Sequence, residues 1–272
     1  MKYYLLLCSF LIIGYACQPP TSSTEESPAQ ESVATETQSK KTGVQLATES
    51  TPTHIKAMRV MEYPKLDGYP YEAHWKNSPW LPIDQLWLGD EYSKEDFSGN
   101  YKVAWSEDYI YLLVQIVDDV FQDKNPDGLN RYWDDDSMEV FIDEDQSGGE
   151  HQYNHNAFAY HVAKDSRVVD LGTNREAQYY NDHFLVDRKQ AGSVYTWEMA
   201  MLVYKDSYQD DSDRNIPVRL SAGKKMGFAL AYCDNDFSKE REHFIGSVPI
   251  EGEDKNIGWI NADVFGTLEL VE

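Results

Sequence analysis

Between Ser137 and Asp143 apolar and polar side chains alternate with a period of two. Met138, Val140 and Ile142 share one side, while Ser137, Glu139, Phe141 and Asp143 share the other. Successive side chains of a strand point to opposite faces, so this pattern predicts a half-buried strand. Similar short runs recur along the chain. Residues 57–61, 101–105, 109–117, 157–162, 167–170, 194–203, 226–232 and 265–271 are rich in β-branched and aromatic side chains. Ser106-Glu-Asp108 joins the run ending at Trp105 to the one starting at Tyr109, which predicts a hairpin. Trp75, Trp80 and Trp87 stand among Pro79 and Pro82, and those prolines forbid a long helix there. No window of useful length holds a helical period. Short strands separated by turn residues predict an all-β chain, an antiparallel β-sandwich of jelly-roll or immunoglobulin-like type.

The start of the chain breaks this pattern. Met1-Lys2 and the apolar run from Tyr3 to Ile13 are too short to span a bilayer and read as a secretory signal. The signal ends Gly14-Tyr15-Ala16-Cys17, which resembles a lipoprotein cleavage box. Two readings follow: lipidation of Cys17 after cleavage, or an ordinary cleaved signal. Residues 18–55 are Ser, Thr, Glu, Pro and Gln with few large apolar groups. Such a segment cannot bury enough surface to fold and is expected to be a tether. The expected organisation is therefore a signal over 1–17, a tether over 18–55 and one sandwich domain over 56–272. Lipidation would place the protein in the cell envelope, on the outer membrane, facing the periplasm or the surface. Of three cysteines, only Cys233 remains in the domain, so no internal disulfide is expected.

Charge narrows the partners. The formal net charge is −23, which excludes nucleic acid and electrostatic docking on anionic lipid. It fits a solvated surface, calcium sites, or a neutral or cationic ligand. Asp143-x-Asp145-x-Ser147-Gly148 places oxygen donors and a glycine as in the first half of a calcium loop, yet Asn154 stands where the closing Glu belongs. A hairpin calcium site held by Asp143, Asp145 and Ser147 and a plain polar turn both remain open. His151, His155, His161 and His183 match no zinc spacing. No nucleophile motif, phosphate loop or nucleotide fingerprint appears, and no organic cofactor is expected.

Aromatic residues make up 13% of the chain. Sugar rings have apolar faces and hydroxyl edges, so a saccharide site combines aromatic rings with Glu, Asn or Arg. Trp133 and Trp259 each follow a polar loop, unlike Trp105 and Trp197, which sit inside alternating runs. Trp133 and Trp259 are therefore the candidates for a ligand-facing ring, and packing is the other reading of each.

Leu66-Asp-Gly68, the run from Val103 to Asp118, Trp133-Asp-Asp-Asp-Ser-Met-Glu-Val-Phe-Ile-Asp-Glu144, Trp197-Glu198 and Trp259-Ile-Asn-Ala-Asp-Val-Phe-Gly-Thr-Leu-Glu-Leu270 follow in order. In this order they resemble the family 9 carbohydrate-binding modules. The resemblance implies a DOMON-related β-sandwich that binds oligo- or polysaccharide without catalysis and supports carbohydrate catabolism. It implies two tryptophans clamping a sugar ring, here Trp133 and Trp259. It implies hydroxyl contacts from Glu139 and Asn256, and structural calcium. The family's strand arginine has only Tyr160 or His161 in its place, and its strand glutamine has Ala231 nearby. His161 is accordingly taken as a ligand residue. Two alternatives stand beside this reading. One is a haem-binding electron-transfer domain using His161 with Met199 or Met226. The other is a module of, or with, glycoside hydrolase activity.

Overall fold

A computed structural model describes residues 53–272. The signal over 1–17 with Cys17, and the tether as far as residue 52, lie outside the described residues. The domain is built from fourteen strands. These are β1 (His54–Arg59), β2 (Leu81–Ile83), β3 (Gln85–Leu88), β4 (Phe97–Trp105), β5 (Ile110–Asp118), β6 (Ser137–Asp143) and β7 (Phe158–Val162). They continue with β8 (Val168–Leu171), β9 (Ala177–Tyr179), β10 (Phe184–Ala191), β11 (Val194–Met201), β12 (Lys225–Asp234), β13 (His243–Gly246) and β14 (Gly266–Val271).

Hydrogen bonding runs unbroken in the order β10-β11-β5-β4-β1-β14-β12-β6-β7-β8-β9, with β2, β3 and β13 attached at the side. The two halves of this path face each other. Tyr101 on β4 meets Phe228 on β12 at 6.4 Å between ring centroids, and Trp197 on β11 meets Tyr232 at 6.3 Å. Those strands are not neighbours in the sheet, so the contacts cross the space between two layers. The result is the expected β-sandwich. Its pairs are antiparallel except at β1, which runs parallel to both β14 and β4.

The interlayer space holds Trp105, Trp197, Tyr101, Val140, Phe158, Phe228 and Leu230, all buried. These are the inward members of alternating runs, which is why the alternation was legible. The turn at Leu66–Gly68 is tied to β11 by Glu198. Its Oε2 accepts from the amides of Asp67 (3.0 Å) and Gly68 (3.1 Å), and its Oε1 from Trp75 Nε1 (2.9 Å). Trp75 stands on a single short helix, Ala73–Asn77, as the nearby prolines require.

β6 departs from expectation. All seven of its residues are buried, so it is covered on both faces. Met138, Val140 and Ile142 enter the interlayer core. Phe141 enters a second apolar cluster with Trp87, Ala159, Ala231, Cys233 and Phe244, against which Trp259 packs. The loops crossing that outer face supply the cover, and alternation along a strand cannot report them.

Candidate functional site

A pocket of about 440 Å³ lies on the outer face of β6, β7 and β8. Trp133, Glu139, His161, Asn256 and Trp259 all line it, so the five predicted ligand residues converge on one place. They stand over a sheet face. Register explains the floor. Glu139 on β6 lies directly opposite His161 on β7, and Ala231 on β12 lies opposite Glu139 on its other side. Small Ala159 and Ala231 leave the space that larger side chains would fill.

The walls come from two loops. Trp133 sits on a turn of 3-10 helix, Tyr132–Asp134, and is 42% exposed. The acids that follow it hold this loop in place. Asp134 pairs with Arg131 Nε at 2.7 Å and accepts from the Arg241 amide at 3.0 Å. Asp135 accepts from the amides of Lys124 and Asn125, and Asp136 from those of Gln122 and Asn235. Trp259 is half-buried, with its Nε1 donating to Asn256 O at 3.0 Å. Gly258 beside it has no side chain to strike Phe141, whose ring would stand 3.2 Å from an added Cβ.

Six further residues line the pocket beyond the five expected from sequence: Tyr132, Tyr153, Ala159, Asp170, Leu171 and Arg241. Arg241, from the loop between β12 and β13, supplies the guanidinium that was sought on β7. It donates through Nη2 to Asn256 Oδ1 (2.9 Å) and through Nη1 to Cys233 Sγ (3.3 Å). Its plane lies over the Phe244 ring at 4.0 Å. Tyr160, the other residue considered for that role, points into the core and bonds His183 Nδ1 at 2.7 Å.

Electrostatically the floor is a desolvated patch. Burial pushes Glu139 up to about 8, with Arg241 opposing. Burial likewise raises Asp170 to about 7, while its Oδ2 accepts from the Ala159 amide at 2.8 Å. Burial drives His161 down to about 3, so its ring is neutral at ordinary pH. Burial raises the Cys233 thiol to about 12. This arrangement offers flat rings above and hydrogen-bonding groups below, which suits a ligand with an apolar face and a polar edge.

Other candidates fall elsewhere. His151 bonds Gly258 O, His155 pairs with Asp210, and His183 sits between Tyr160 and Tyr208. Met199 and Met226 belong to the interlayer core, whereas His161 faces the pocket on the opposite side of its sheet. The His–Met pair that a haem would need is therefore not assembled. In the 143–147 turn, Asp143 accepts from the amides of Asp145 (3.3 Å) and Gly148 (2.8 Å), and Asp145 from that of Ser147 (3.1 Å). Gly148 has φ +69° there, as the polar-turn reading requires. A different cluster gathers carboxylate oxygens. Among the described residues, Asp96, Asp118, Asp119, Asp234 and Asp236 form overlapping groups whose ligand atoms lie within 4.8 Å of one another.

Comparison with known proteins gives one sequence match and several structural ones. Residues 66–272 match the family described as "Carbohydrate family 9 binding domain-like". No curated protein matches in sequence. A family 9 carbohydrate-binding module from Caldicellulosiruptor kristjanssonii, solved in complex with cellotriose, is 18% identical with a TM-score of 0.57. The alignment covers 80% of this chain and 93% of that one. A structure from the same organism in complex with glucose aligns with the same identity and TM-score, over 95% of its length.

Proposed function

The chain belongs to the carbohydrate family 9 binding domain-like family, and we propose that its pocket holds a sugar ring between Trp133 and Trp259. The observation that carries this reading is convergence. Two tryptophans from loops more than a hundred residues apart line one pocket whose floor is Glu139, His161 and Asp170. The rings would cover the apolar faces of a sugar, and the floor with Asn256 would take its hydroxyls. In this reading the protein captures oligo- or polysaccharide and leaves its hydrolysis to other enzymes. Calorimetric titration of the full chain with glucose and cellotriose tests it. Saturable binding that is lost in Trp133→Ala supports the clamp; equal binding by that variant removes it.

Calcium belongs to the same proposal. The 143–147 turn engages Asp143 and Asp145 with its own amides, so it offers few free oxygens. The cluster around Asp234 fits the ion better. Calcium takes six to eight oxygens. Asp234 is 1% exposed, and its Oδ1 has no hydrogen-bond partner while its Oδ2 accepts from His243 Nδ1 at 2.8 Å. Asp118, Asp236 and Asp96 would complete the set. Asn235 links this cluster to the pocket rim, because its side-chain amide donates to Asp134 O at 2.7 Å, next to Trp133.

Anchoring through Cys17 also remains a proposal, supported by the cleavage box and the tether composition. Cys17→Ser is expected to move the protein from the membrane to the soluble fraction; retention of the variant in membranes would refute lipidation.

A further inference from the structure

The pocket floor contains buried polar atoms without a well-formed hydrogen bond. Neither ring nitrogen of His161 makes a well-aligned hydrogen bond, although the Ala159 backbone lies beside the ring, and Glu139 Oε2 makes none either. Both residues are almost fully buried, at 6% and 1% exposed. Leaving such a group unsatisfied in a buried site is costly, so each one calls for a partner. His151, His155 and His183, which lie outside the pocket lining, are all bonded.

A third donor lies with them. One ligand atom each from Glu139, His161 and Cys233 falls within 4.8 Å of the others. They stand on three adjacent strands: β7 and β12 flank β6. Cys233 pairs with Ser137, two residues along from Glu139 and on the same face. The spacing is informative. His161 Nε2 and Glu139 Oε2 are 3.3 Å apart, yet they do not form a hydrogen bond. Around tetrahedral zinc, nitrogen and oxygen ligands at about 2.0–2.1 Å from the metal stand roughly 3.3–3.4 Å from each other.

We propose that Glu139, His161 and Cys233 form a transition-metal site of the zinc class, with its fourth position open to the pocket. A thiol, an imidazole and a carboxylate are a donor set for zinc-like ions and a poor one for calcium or magnesium. Three protein ligands with one open position is the arrangement of reactive rather than purely structural zinc sites. Charge agrees as well. A divalent ion would meet three acidic groups there, Cys233, Glu139 and Asp170, with Arg241 as the cation beside them. A coordinated thiol gives up its proton to the metal's field. The Arg241 Nη1–H that points at Sγ then stabilises the bound thiolate. The proposal extends the sugar reading without depending on it, for a ligand hydroxyl would occupy the open position.

The probe is cobalt(II) alone, added to full-length protein stripped with chelator. Cys8→Ser and Cys17→Ser leave Cys233 as the one thiol. One cobalt per chain is expected, with thiolate-to-cobalt charge-transfer absorption in the near ultraviolet and strong tetrahedral bands in the visible, all bleached by zinc. Cys233→Ser should abolish the charge-transfer band. Glu139→Gln keeps the thiol and should raise the cobalt concentration at half-saturation more than tenfold. Failure to take up cobalt, a band that survives Cys233→Ser, or an unchanged midpoint in Glu139→Gln overturns the site. Cobalt binding as described without affinity for glucose or cellotriose supports the metal site and removes the sugar clamp. Sugar binding without cobalt uptake does the reverse.

Discussion

The two faces of β6 obey different rules. On one, Met138, Val140 and Ile142 stand beside Phe228, Leu230 and Phe158 of the flanking strands in the interlayer core. On the other, Glu139 shares a floor with His161 and Asp170, while Phe141 alone continues as packing. The strand backbone is equally regular on both sides, and every residue is buried. The difference lies in what covers it. The core face is covered by the opposite half of the same hydrogen-bonded path, whose side chains repeat with the same period. The pocket face is covered by loops, which leave a gap and import Trp133, Arg241 and Trp259 from distant parts of the chain. A side chain's exposure therefore does not reveal whether it stabilises or recognises; the nature of its cover does.

The largest expected effect tests the core face. Trp105 is 1% exposed, and its Nε1 donates to Val271 O at 2.9 Å. Trp105→Ala should cost about 3–5 kcal/mol of stability, measured by denaturant unfolding, because the void cannot close fully. A loss below about 1 kcal/mol would break the contrast between the faces.

Calcium removal comes next. The Asp234 cluster joins the faces, since the core residue Tyr232 donates from its hydroxyl to Asp118. Calcium at one hundred times its dissociation constant should add about 2.7 kcal/mol by binding only the folded state. The melting midpoint should therefore fall when EDTA is added to calcium-loaded protein. Asp234→Asn should remove the difference. An unchanged midpoint would discard the site.

On the pocket face the effect moves from stability to affinity. A tryptophan ring offers about 150–250 Å², and covering half of it at roughly 25 cal/mol per Å² is worth about 2 kcal/mol, more than tenfold in binding. Trp133→Ala should lose that affinity with an unchanged unfolding curve. Trp259→Ala should lose similar affinity and some stability too, because its ring also packs on the second apolar cluster. If Trp133→Ala unfolds as readily as Trp105→Ala, the ring is packing and the clamp is wrong.

The smallest effect is a pH slope. Burial raises Asp234 to about 7, and burial raises Asp236 to about 6, above the ordinary carboxylate value. The folded state then holds protons more tightly than the unfolded chain, so this contribution is full below the unfolded value near ~3.9 and is lost as pH rises towards about 7. Calcium-free protein should melt at lower temperature as pH rises through that window. Saturating calcium should flatten the slope, and an equal slope with and without calcium would separate the ion from these carboxylates.

The sequence made the core face legible because alternation is a local signal. Val140 and its partners, the hairpin of β4 and β5, and the strand β12 were each visible in one short continuous stretch. Trp133 and Trp259 were visible because they interrupt polar loops. Arg241 was not, since it lies in Asp236-Phe-Ser-Lys-Glu-Arg241, a stretch with no period, and reaches the pocket only through the turn back into β13. Asp170 looked like the polar end of a strand. Its backbone bonds and its burial belong to the fold, and the chain's own pattern does not contain them. The lack of a well-aligned hydrogen bond at His161 is likewise a fact of three dimensions.

The parallel placement of β1 has a practical consequence. The family match begins at residue 66, after β1 has ended. Yet β1 lies between β4 and β14, where it joins the two halves of the hydrogen-bonded path. An expression boundary drawn at the family match would leave a slot one strand wide, with open edges on both sides. Such a truncated domain should accept a separate peptide carrying residues 54–59, or the same strand from a neighbouring molecule, as donor-strand systems do. The six residues before the recognised domain thus make the difference between a closed sandwich and a split protein that can be completed in trans.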